Sequence, residues 1–423
     1  MKLSTESYKG VRDFYPEDQF IENYIFAVWR KTVESFGYVE YGASILEPSE
    51  LYSAKTGEEI VTEQTYNFKD RSERNVTLRP EMTPTVARMV AARIKQLPFP
   101  LRWYSIPNLF RYEQPQKGRL REHWQLNADL FGVAGIEAEV EMISMLSTLM
   151  RNFGAREKDY QIRINSRAIM NELFARYKLD ADTTQKLSKV IDKKDKIMPA
   201  VFEESVTALL KGNAKEFMVA ISSGRKLTAL LGETSTSVKE LISLIEKLNA
   251  MGILNISFEP TLMRGFDYYT GIVFEIFDTN SENRRSIAGG GRFDELLKIF
   301  DVDKVPTIGF GMGDVTIRDF LETHKLLPEY ASTTWISICV IDSKLTTEAM
   351  KLAQTLREGG VAVSVDVSGK KLGDQIKLAD KQKIPFILPF GEDEMTSGIY
   401  NVKKLDSGDE KKLTTEQIIQ EFK

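Results

Sequence analysis

A strand with one polar face is predicted at residues 122–132. The polar positions are His123, Gln125, Asn127 and Asp129, and apolar side chains fill the positions between them. Because successive side chains of a strand point to opposite faces, these four groups share one face. An antiparallel hairpin with a solvated side would give the same pattern. The neighbouring sequence must therefore decide whether this face binds a ligand.

The segment before this strand is rich in cationic side chains. Arg111 and Glu113 lie two residues apart on a strand predicted at 101–113, and residues 114–121 are too long and too basic for a tight hairpin turn. From Arg88 to Arg121 the chain has eight Lys or Arg residues and one acid, Glu113. This stretch predicts a local site for phosphate groups within an acidic protein.

Three further segments combine glycine with potential ligand-binding groups. Residues 264–271 contain an arginine, an aspartate and the pair Tyr268 and Tyr269, which could contact a small polar ligand; an edge strand with aromatic core residues is the alternative. Residues 288–292 are predicted as a turn whose glycines would let the backbone approach a ligand. Residues 309–313 have G-x-G-x-G spacing before a predicted helix, which differs from the dinucleotide-binding fingerprint.

The composition excludes several kinds of chemistry. The 423 residues include two histidines and one cysteine. A Ser-His-Asp triad, a two-histidine metal site, a cysteine-ligated zinc site and internal disulfides are therefore not expected. Chemistry must depend on arginines, carboxylates, amides and tyrosines. The net charge of −4 by itself disfavours a nucleic-acid partner, but net charge does not report local patches.

The length of the chain suggests two or three domains. Residues 1–325 mix strands and helices, and a polar helical pattern at 168–255 is predicted as an insertion. Strands alternate with helices at 333–423, which predicts a separate parallel α/β domain. The sequence has no apolar run of about 20 residues and no apolar signal core at its start, so we expect a cytoplasmic protein without a membrane span.

Six segments resemble the motifs of one family. They are Lys9–Asp13 with Pro16, Ile45–Leu51, Thr77–Thr83, Phe110–Gly132, Arg264–Tyr269 and Gly289–Phe293. Over essentially the whole chain they resemble class II aminoacyl-tRNA synthetases, specifically the histidyl-tRNA synthetase family. The resemblance implies an α+β fold, with the antiparallel β-sheet core of class II flanked by helices, a helical insertion and a C-terminal α/β anticodon-binding domain. The second segment resembles the dimer-interface motif, so a homodimer is expected.

The resemblance also implies a reaction and the residues that perform it. The family activates L-histidine with ATP and Mg²⁺ to histidyl-adenylate, then transfers the histidyl group to the 3′ end of tRNA(His). The implied histidine-binding residues are Glu81, Thr83, Gln125, Asp129, Arg264, Tyr268 and Tyr269. The implied ATP-binding residues are Arg111, Glu113 and Arg119. The catalytic set is Arg264, Arg111 and Gln125, and Gln116 is expected to contact the acceptor end of the tRNA.

The chemistry of adenylate formation agrees with these assignments. A carboxylate must approach a phosphate, so two anions are brought together and charge must be stabilised in line. In the family, the counterpart of Arg264 lies across the histidine carboxylate and the α-phosphate, where other class II enzymes place a magnesium ion. A planar guanidinium suits both anions. No protein base is needed because the nucleophile is already ionised, and Mg²⁺ is expected to be held mainly by the phosphates.

The sequence departs from the family pattern at two positions. Asp129 stands where the family usually has glutamate, which keeps the charge but shortens the reach. Thr316 stands where the class has an arginine that pairs with the tail of ATP. Arg318 is two residues further along, and two residues turn a helix by about 200°, so it cannot simply replace that arginine. Arg119 and metal ions are other candidates for this contact.

A non-catalytic relative is the alternative interpretation. The regulatory subunit of ATP phosphoribosyltransferase resembles this core and senses histidine. That protein typically lacks the terminal anticodon domain and has a degenerate segment at the position of Arg264, whereas both features are intact here. The missing arginine at position 316 is the one feature that favours it.

Overall fold

The computed structural model describes residues 3–53, 64–194, 197–232, 234–263 and 269–423. The chain divides into two units, Met1–Leu327 and Pro328–Lys423. In the described part of the chain, no helix is long and apolar enough to cross a membrane.

A large, mainly antiparallel sheet forms the centre of the first unit. Its strands are β1 (Val39–Glu40), β5 (Leu101–Ser105), β6 (Asn108–Phe110), β7 (Glu122–Phe131), β8 (Tyr160–Ser166), β9 (Ile256–Phe258), β10 (Ile272–Asp278), β11 (Ser286–Arg292) and β12 (Thr307–Gly313). They are ordered β1-β5-β7-β12-β11-β10-β8-β9, and β6 pairs with β7. The pairs at the two ends, β1 with β5 and β8 with β9, are parallel. A separate sheet has the order β2 (Leu46–Pro48), β4 (Asn75–Leu78), β3 (Tyr66–Lys69).

Helices cover the apolar side of the large sheet. Outside the helical segment at 167–250, the helices described in this unit are α1 (Pro16–Ser35), α2 (Glu50–Ser53), α3 (Thr83–Ala92), α4 (Glu137–Asn152) and α11 (Asp314–Thr323). Helix α1 begins at a proline, which is preorganised for the first helical turn. Its side chains Ile25, Trp29 and Val33 recur every four residues and are fully buried. They join one core with Leu126 and Leu130 of β7.

A helical segment follows β8. It consists of α5 (Arg167–Arg176), α6 (Ala181–Asp192), α7 (Pro199–Leu210), α8 (Ala214–Ala220), α9 (Gly224–Leu231) and α10 (Thr236–Ala250). Apolar side chains including Leu187, Val206 and Phe217 are buried and belong to the same core as the sheet. The helical insertion expected in this part of the chain is therefore present.

The second unit has its own five-stranded sheet, ordered β14-β13-β15-β16-β17. Its elements are β13 (Ile336–Val340), α12 (Thr346–Glu358), β14 (Val363–Asp366), α13 (Leu372–Lys381), β15 (Phe386–Phe390), α14 (Glu392–Ser397), β16 (Tyr400–Lys404), β17 (Glu410–Leu413) and α15 (Thr415–Phe422). Strands β14, β13 and β15 are parallel, as the alternation of strands and helices predicts. The antiparallel strands β16 and β17 were not predicted. The predicted fold class is confirmed; the functional division into 1–325 and 333–423 stays a prediction.

Candidate active site

Two adjoining pockets lie along the polar face of β7, and a third continues outward from them. The inner pocket is lined by Glu81, Thr83, Arg111, Gln125, Asn127, Asp129, Tyr269, Gly289, Phe293, Gly309, Phe310 and Gly311. The middle pocket shares Arg111 and Gln125 with it and extends to Glu113, Arg119, His123 and Thr316. The outer pocket continues to Gln116 and Lys117. Arg111 lines all three, so the predicted ligand-binding side chains meet around one arginine.

The face of β7 that alternation predicts to be polar is largely enclosed. Asn127 and Asp129 are 6% and 4% exposed, and strands β5 and β12 flank β7 on its two sides. A hairpin side turned to water would leave these groups accessible. The solvated-hairpin alternative is therefore wrong for these two residues, and the face forms the floor of a cavity.

Glycines on β11 and β12 make room for this cavity. Gly309 pairs with Asp129 across the sheet, and a Cβ atom on Gly309 would stand 2.2 Å from Asp129 Oδ1. A Cβ on Gly311 would approach the Gln125 amide to 2.8 Å, and one on Gly290 would stand 2.1 Å from the Gly309 carbonyl oxygen. The prediction of a turn at 288–292 is wrong, because these residues belong to strand β11. Its glycines allow close contact between strand and side chain.

The electrostatics of the inner pocket centre on Asp129. Burial raises the pKa of the Asp129 carboxyl to about 8, because the charged form loses its hydration. Glu81 is also buried, at 2% exposure. Tyr269 packs edge-on against Phe293, with ring centroids 6.2 Å apart. The pocket thus combines two acidic groups with an aromatic wall, which suits a ligand with a cationic group and a ring bearing N–H donors.

Arg111 stands between the inner and middle pockets. Its Nε donates to the carbonyl oxygen of Pro80 at 2.8 Å, which fixes the guanidinium beside the chain that enters α3. His123 also lines the middle pocket. Burial, followed by the positive charges of Arg111 and Arg12, lowers the pKa of His123 to about 3. This histidine is therefore neutral near pH 7 and does not serve as a cationic acid.

The loop that follows Arg111 is held by ionic and aromatic contacts. Glu113 is buried and its Oε2 lies 2.5 Å from Nε of Arg119. The Arg121 Nε donates to the Glu113 carbonyl oxygen at 3.1 Å, and its guanidinium lies 4.1 Å from the centre of the Tyr112 ring. Gln116 is exposed at the tip, where its backbone pairs with Arg119. Arg119, paired with Glu113, thus lines the middle pocket.

The basic stretch does not act as one patch. Arg88 is paired with Glu47 at 2.8 Å, and Arg102 with Glu141 at 2.8 Å. Arg111, Lys117 and Arg119 line the pockets instead. Some of these basic side chains therefore pair with carboxylates of the fold, whereas Arg111, Lys117 and Arg119 lie at the pockets, where a phosphate site stays a prediction.

The predicted residues differ in what the structure says of them. Glu81, Thr83, Gln125, Asp129 and Tyr269 come together in the inner pocket, and Arg111, Glu113 and Arg119 in the middle pocket. Arg264 and Tyr268 lie outside the described residues. Sequence reasoning assigned no role to Asn127, although its alternation with Gln125 and Asp129 placed it on the same face. It also missed Gly309 and Gly311, whose contacts depend on strand pairing.

The structure shows where Thr316 and Arg318 lie relative to the pockets; Thr316 stands at the position of the class arginine that this chain lacks. Thr316 lines the middle and outer pockets, and its hydroxyl donates to the Ile287 carbonyl oxygen at 3.2 Å. Arg318 is ion-paired with Asp18 at 2.7 Å and with Glu322 at 3.0 Å. It lines a different pocket with Arg12 and Asp18. Arg318 therefore does not line either of the pockets that Thr316 lines.

Comparison with known proteins defines the class. The sequence model described as "Histidyl-tRNA synthetase" matches residues 10–314, and that described as "Anticodon binding domain" matches residues 336–423. A catalytic unit joined to an anticodon-binding domain defines an aminoacyl-tRNA synthetase. More specifically, the chain belongs to the histidyl-tRNA synthetase family.

Named relatives agree with this membership. A histidine–tRNA ligase of Leptospira biflexa is 42% identical over 430 residues, which cover 100% of this chain and 98% of that protein. The crystal structure of histidyl-tRNA synthetase from Nostoc sp. PCC 7120 shares the fold, with a TM-score of 0.84, 22% identity and 99% and 100% coverage of the two chains. A Bacillus halodurans structure titled as an ATP phosphoribosyltransferase regulatory subunit/histidyl-tRNA synthetase has a TM-score of 0.75 and 25% identity, covering 90% of this chain and 97% of that one.

Proposed function

We propose that the three pockets carry out histidine–tRNA ligation. L-histidine and ATP form histidyl-adenylate and diphosphate, and the histidyl group then passes to the 3′ end of tRNA(His). The observation that carries this proposal is the junction at Arg111, where an acidic pocket sized by glycines meets a cationic pocket along one strand. The first suits an amino acid with a basic ring, and the second suits a nucleotide.

Histidine would occupy the inner pocket. Glu81, Thr83 and Gln125 are placed to hold the ammonium group, and Asp129 and Tyr269 to contact the imidazole. Arg264 and Tyr268 are assigned to the same pocket on the basis of the sequence alone. A buried carboxyl that accepts from an imidazole N–H is left unpaired by an apolar competitor, and such a site discriminates by roughly 10⁴-fold. This explains how the enzyme can select histidine through binding alone.

ATP would occupy the middle pocket, with its α-phosphate at Arg111. The histidine carboxylate oxygen forms a bond to the α-phosphorus while the bond from that phosphorus to the bridging oxygen of diphosphate breaks, and the electron pair leaves with diphosphate. The guanidiniums of Arg111 and Arg264 stabilise the negative charge as it moves, and Gln125 orients the amino acid. Glu113 and Arg119 would position the adenine and the bent triphosphate.

Magnesium would enter with the triphosphate. Within the described ranges, no group of three or more His, Cys, Asp or Glu side chains is arranged to hold a metal ion. Phosphate oxygens suit Mg²⁺ as ligands, and Mg²⁺ commonly keeps several waters and takes few protein ligands. Glu113 and Asp314 are the carboxylates that line the middle pocket, and they are paired with Arg119 and Arg12. When bound, the ion would neutralise phosphate charge; the protein's own cations orient the same groups.

The tRNA and a second copy of the chain complete the proposal. The domain formed by residues 333–423 would bind the anticodon. The exposed side chain of Gln116 would contact the acceptor end of the tRNA beside the outer pocket. A homodimer is supported by Ile45–Leu51, where Leu46 of β2 is 45% exposed, and by the neighbouring Phe68 of β3, which is 47% exposed. The proposed site of this reaction is the cytoplasm, where charged tRNA would be used.

A histidine-dependent ATP–diphosphate exchange assay tests the function. We expect exchange with histidine and none with other amino acids, and Arg264→Ala should lower it by about 10²-fold or more while the dimer persists. The histidine-sensing regulatory subunit, the alternative, would bind histidine and give no exchange. The anticodon-domain match and the full-length ligase relative weigh against that alternative.

A further inference from the structure

We propose that Arg285 supplies the cationic contact to the terminal phosphates of ATP that Thr316 cannot make. This inference rests on the proposed function, since it concerns the nucleotide of the same site. It begins from two observations already made. The class arginine is replaced by Thr316, and Arg318 is held elsewhere by Asp18 and Glu322.

Strand pairing brings Arg285 to the place of the missing arginine. Strands β11 and β12 are antiparallel and Ala288 pairs with Met312, so the chain just before β11 lies beside the start of α11. The Thr316 hydroxyl donates to the Ile287 carbonyl oxygen at 3.2 Å, which fixes that proximity. Arg285 precedes Ile287 by two residues, and both line the middle and outer pockets with Thr316. A guanidinium from the residue just before β11 thus lines the same two pockets as Thr316.

The ATP-binding loop is shaped around the Arg285 side chain. The Arg285 Nε donates to the Lys117 carbonyl oxygen at 3.1 Å. Gly118 has φ +71°, and a Cβ atom there would stand 2.7 Å from Arg285 Cδ. The loop between Arg111 and Arg119 therefore leaves room for this arginine by having glycine at 118. A planar guanidinium has five N–H donors, so one arginine can contact a loop and a phosphate together.

The charges of the middle pocket favour an anion between its arginines. Glu113 is paired with Arg119, and Asp314 is paired with Arg12. Arg111 lines the same pocket from the end of β6, and Arg285 lines it from the connection between β10 and β11. The Asp319 carboxylate also lies near Gly118 and lines the outer pocket. The positive charge of Arg285 offsets the negative charge of Asp319 where a bound triphosphate would lie.

Binding of ATP compared with AMP tests the proposal, because AMP lacks the two terminal phosphates. Calorimetry on the full-length Arg285→Ala protein should show ATP affinity lowered at least about 10-fold, the order of one charge-assisted contact. AMP affinity should change by less than about twofold. In exchange assays the KM for ATP should rise and the KM for histidine should not. Arg318→Ala, which removes one positive charge from the same region, should leave both nucleotide affinities unchanged.

A compensating substitution distinguishes phosphate binding from loop anchoring. Thr316→Arg restores a guanidinium at the class position and should recover most of the ATP affinity in the Arg285→Ala background. Equal loss of ATP and AMP binding without recovery by Thr316→Arg would overturn the inference, since a collapsed loop affects both nucleotides. Unchanged ATP binding in Arg285→Ala would also overturn it. Absence of exchange by the wild-type protein would instead contradict the proposed function.

Discussion

At the scale of single residues, the contact between Gly309 and Asp129 decides the shape of the inner pocket. Gly309→Ala would place a Cβ atom 2.2 Å from the Asp129 carboxylate oxygen, so the carboxyl must move. We expect the KM for histidine to rise about 10-fold, as for loss of one buried hydrogen bond. The KM for ATP should change little in the same exchange assay. Gly42→Ala is the matched control, because no atom lies within 4 Å of its Cβ position.

The buried carboxyl of Asp129 should also make stability depend on pH. Its folded pKa of about 8 exceeds the value of about 3.9 in an unfolded chain, so between these values the folded state binds the extra proton. Its contribution to stability therefore falls as pH rises from about 4 to about 8 and is constant above that. Asp129→Asn removes this dependence. In urea unfolding of the first unit, the free energy of unfolding of the variant relative to wild type should rise by at least about 1 kcal/mol from pH 5 to pH 8. A fall of this difference over the same range would contradict the assignment.

At the scale of elements, a buried ion pair joins β11 to α4. Arg292 Nε and Nη2 each lie 2.6 Å from an oxygen of Glu139, and both side chains are under 10% exposed. Arg292→Ala would leave a buried carboxylate without its cation, which typically costs about 3–5 kcal/mol. Urea denaturation measures this loss. Lys186→Ala breaks an exposed pair with Asp182 and should cost less than about 1 kcal/mol; similar losses in both variants would show that burial is not decisive.

The sequence predicted the strands and helices better than it predicted which residues they contact in space. Alternation along 122–131 identified the face bearing Gln125 and Asp129, because a period of two is a local property. The glycines at 289–291 were misassigned to a turn, since the atoms that a Cβ would meet there lie on neighbouring strands: Gly309 and Phe310 of β12 for Gly290, and the Ile272 carbonyl of β10 for Gly291. Arg285 was missed for the same reason. Its place beside Thr316 depends on the pairing of β11 with β12, which no local pattern contains.

At the scale of the whole molecule, the two units each have an apolar core of their own. The second is built around Ile338, Leu356 and Leu388. Deletion of 333–423 should therefore leave the exchange reaction within a few-fold of wild type. Transfer to tRNA should fall at least about 100-fold, which corresponds to about 2.7 kcal/mol of lost binding. Exchange and aminoacylation are measured on the same preparation; equal losses would mean that the domain supports the fold of the first unit.

The glycines facing Asp129 and Gln125 have a consequence for redesign of the substrate range. A wall made of side chains can be cut back to admit a larger substrate, but Gly309 and Gly311 have nothing to remove. Any substitution on this wall fills the pocket, as the 2.2 Å and 2.8 Å approaches show. Bulkier histidine analogues must be accommodated at other lining residues, such as Tyr269 and Phe293, where aromatic rings can be shortened. Variant libraries aimed at new amino acids should therefore hold the two glycines constant and vary that pair.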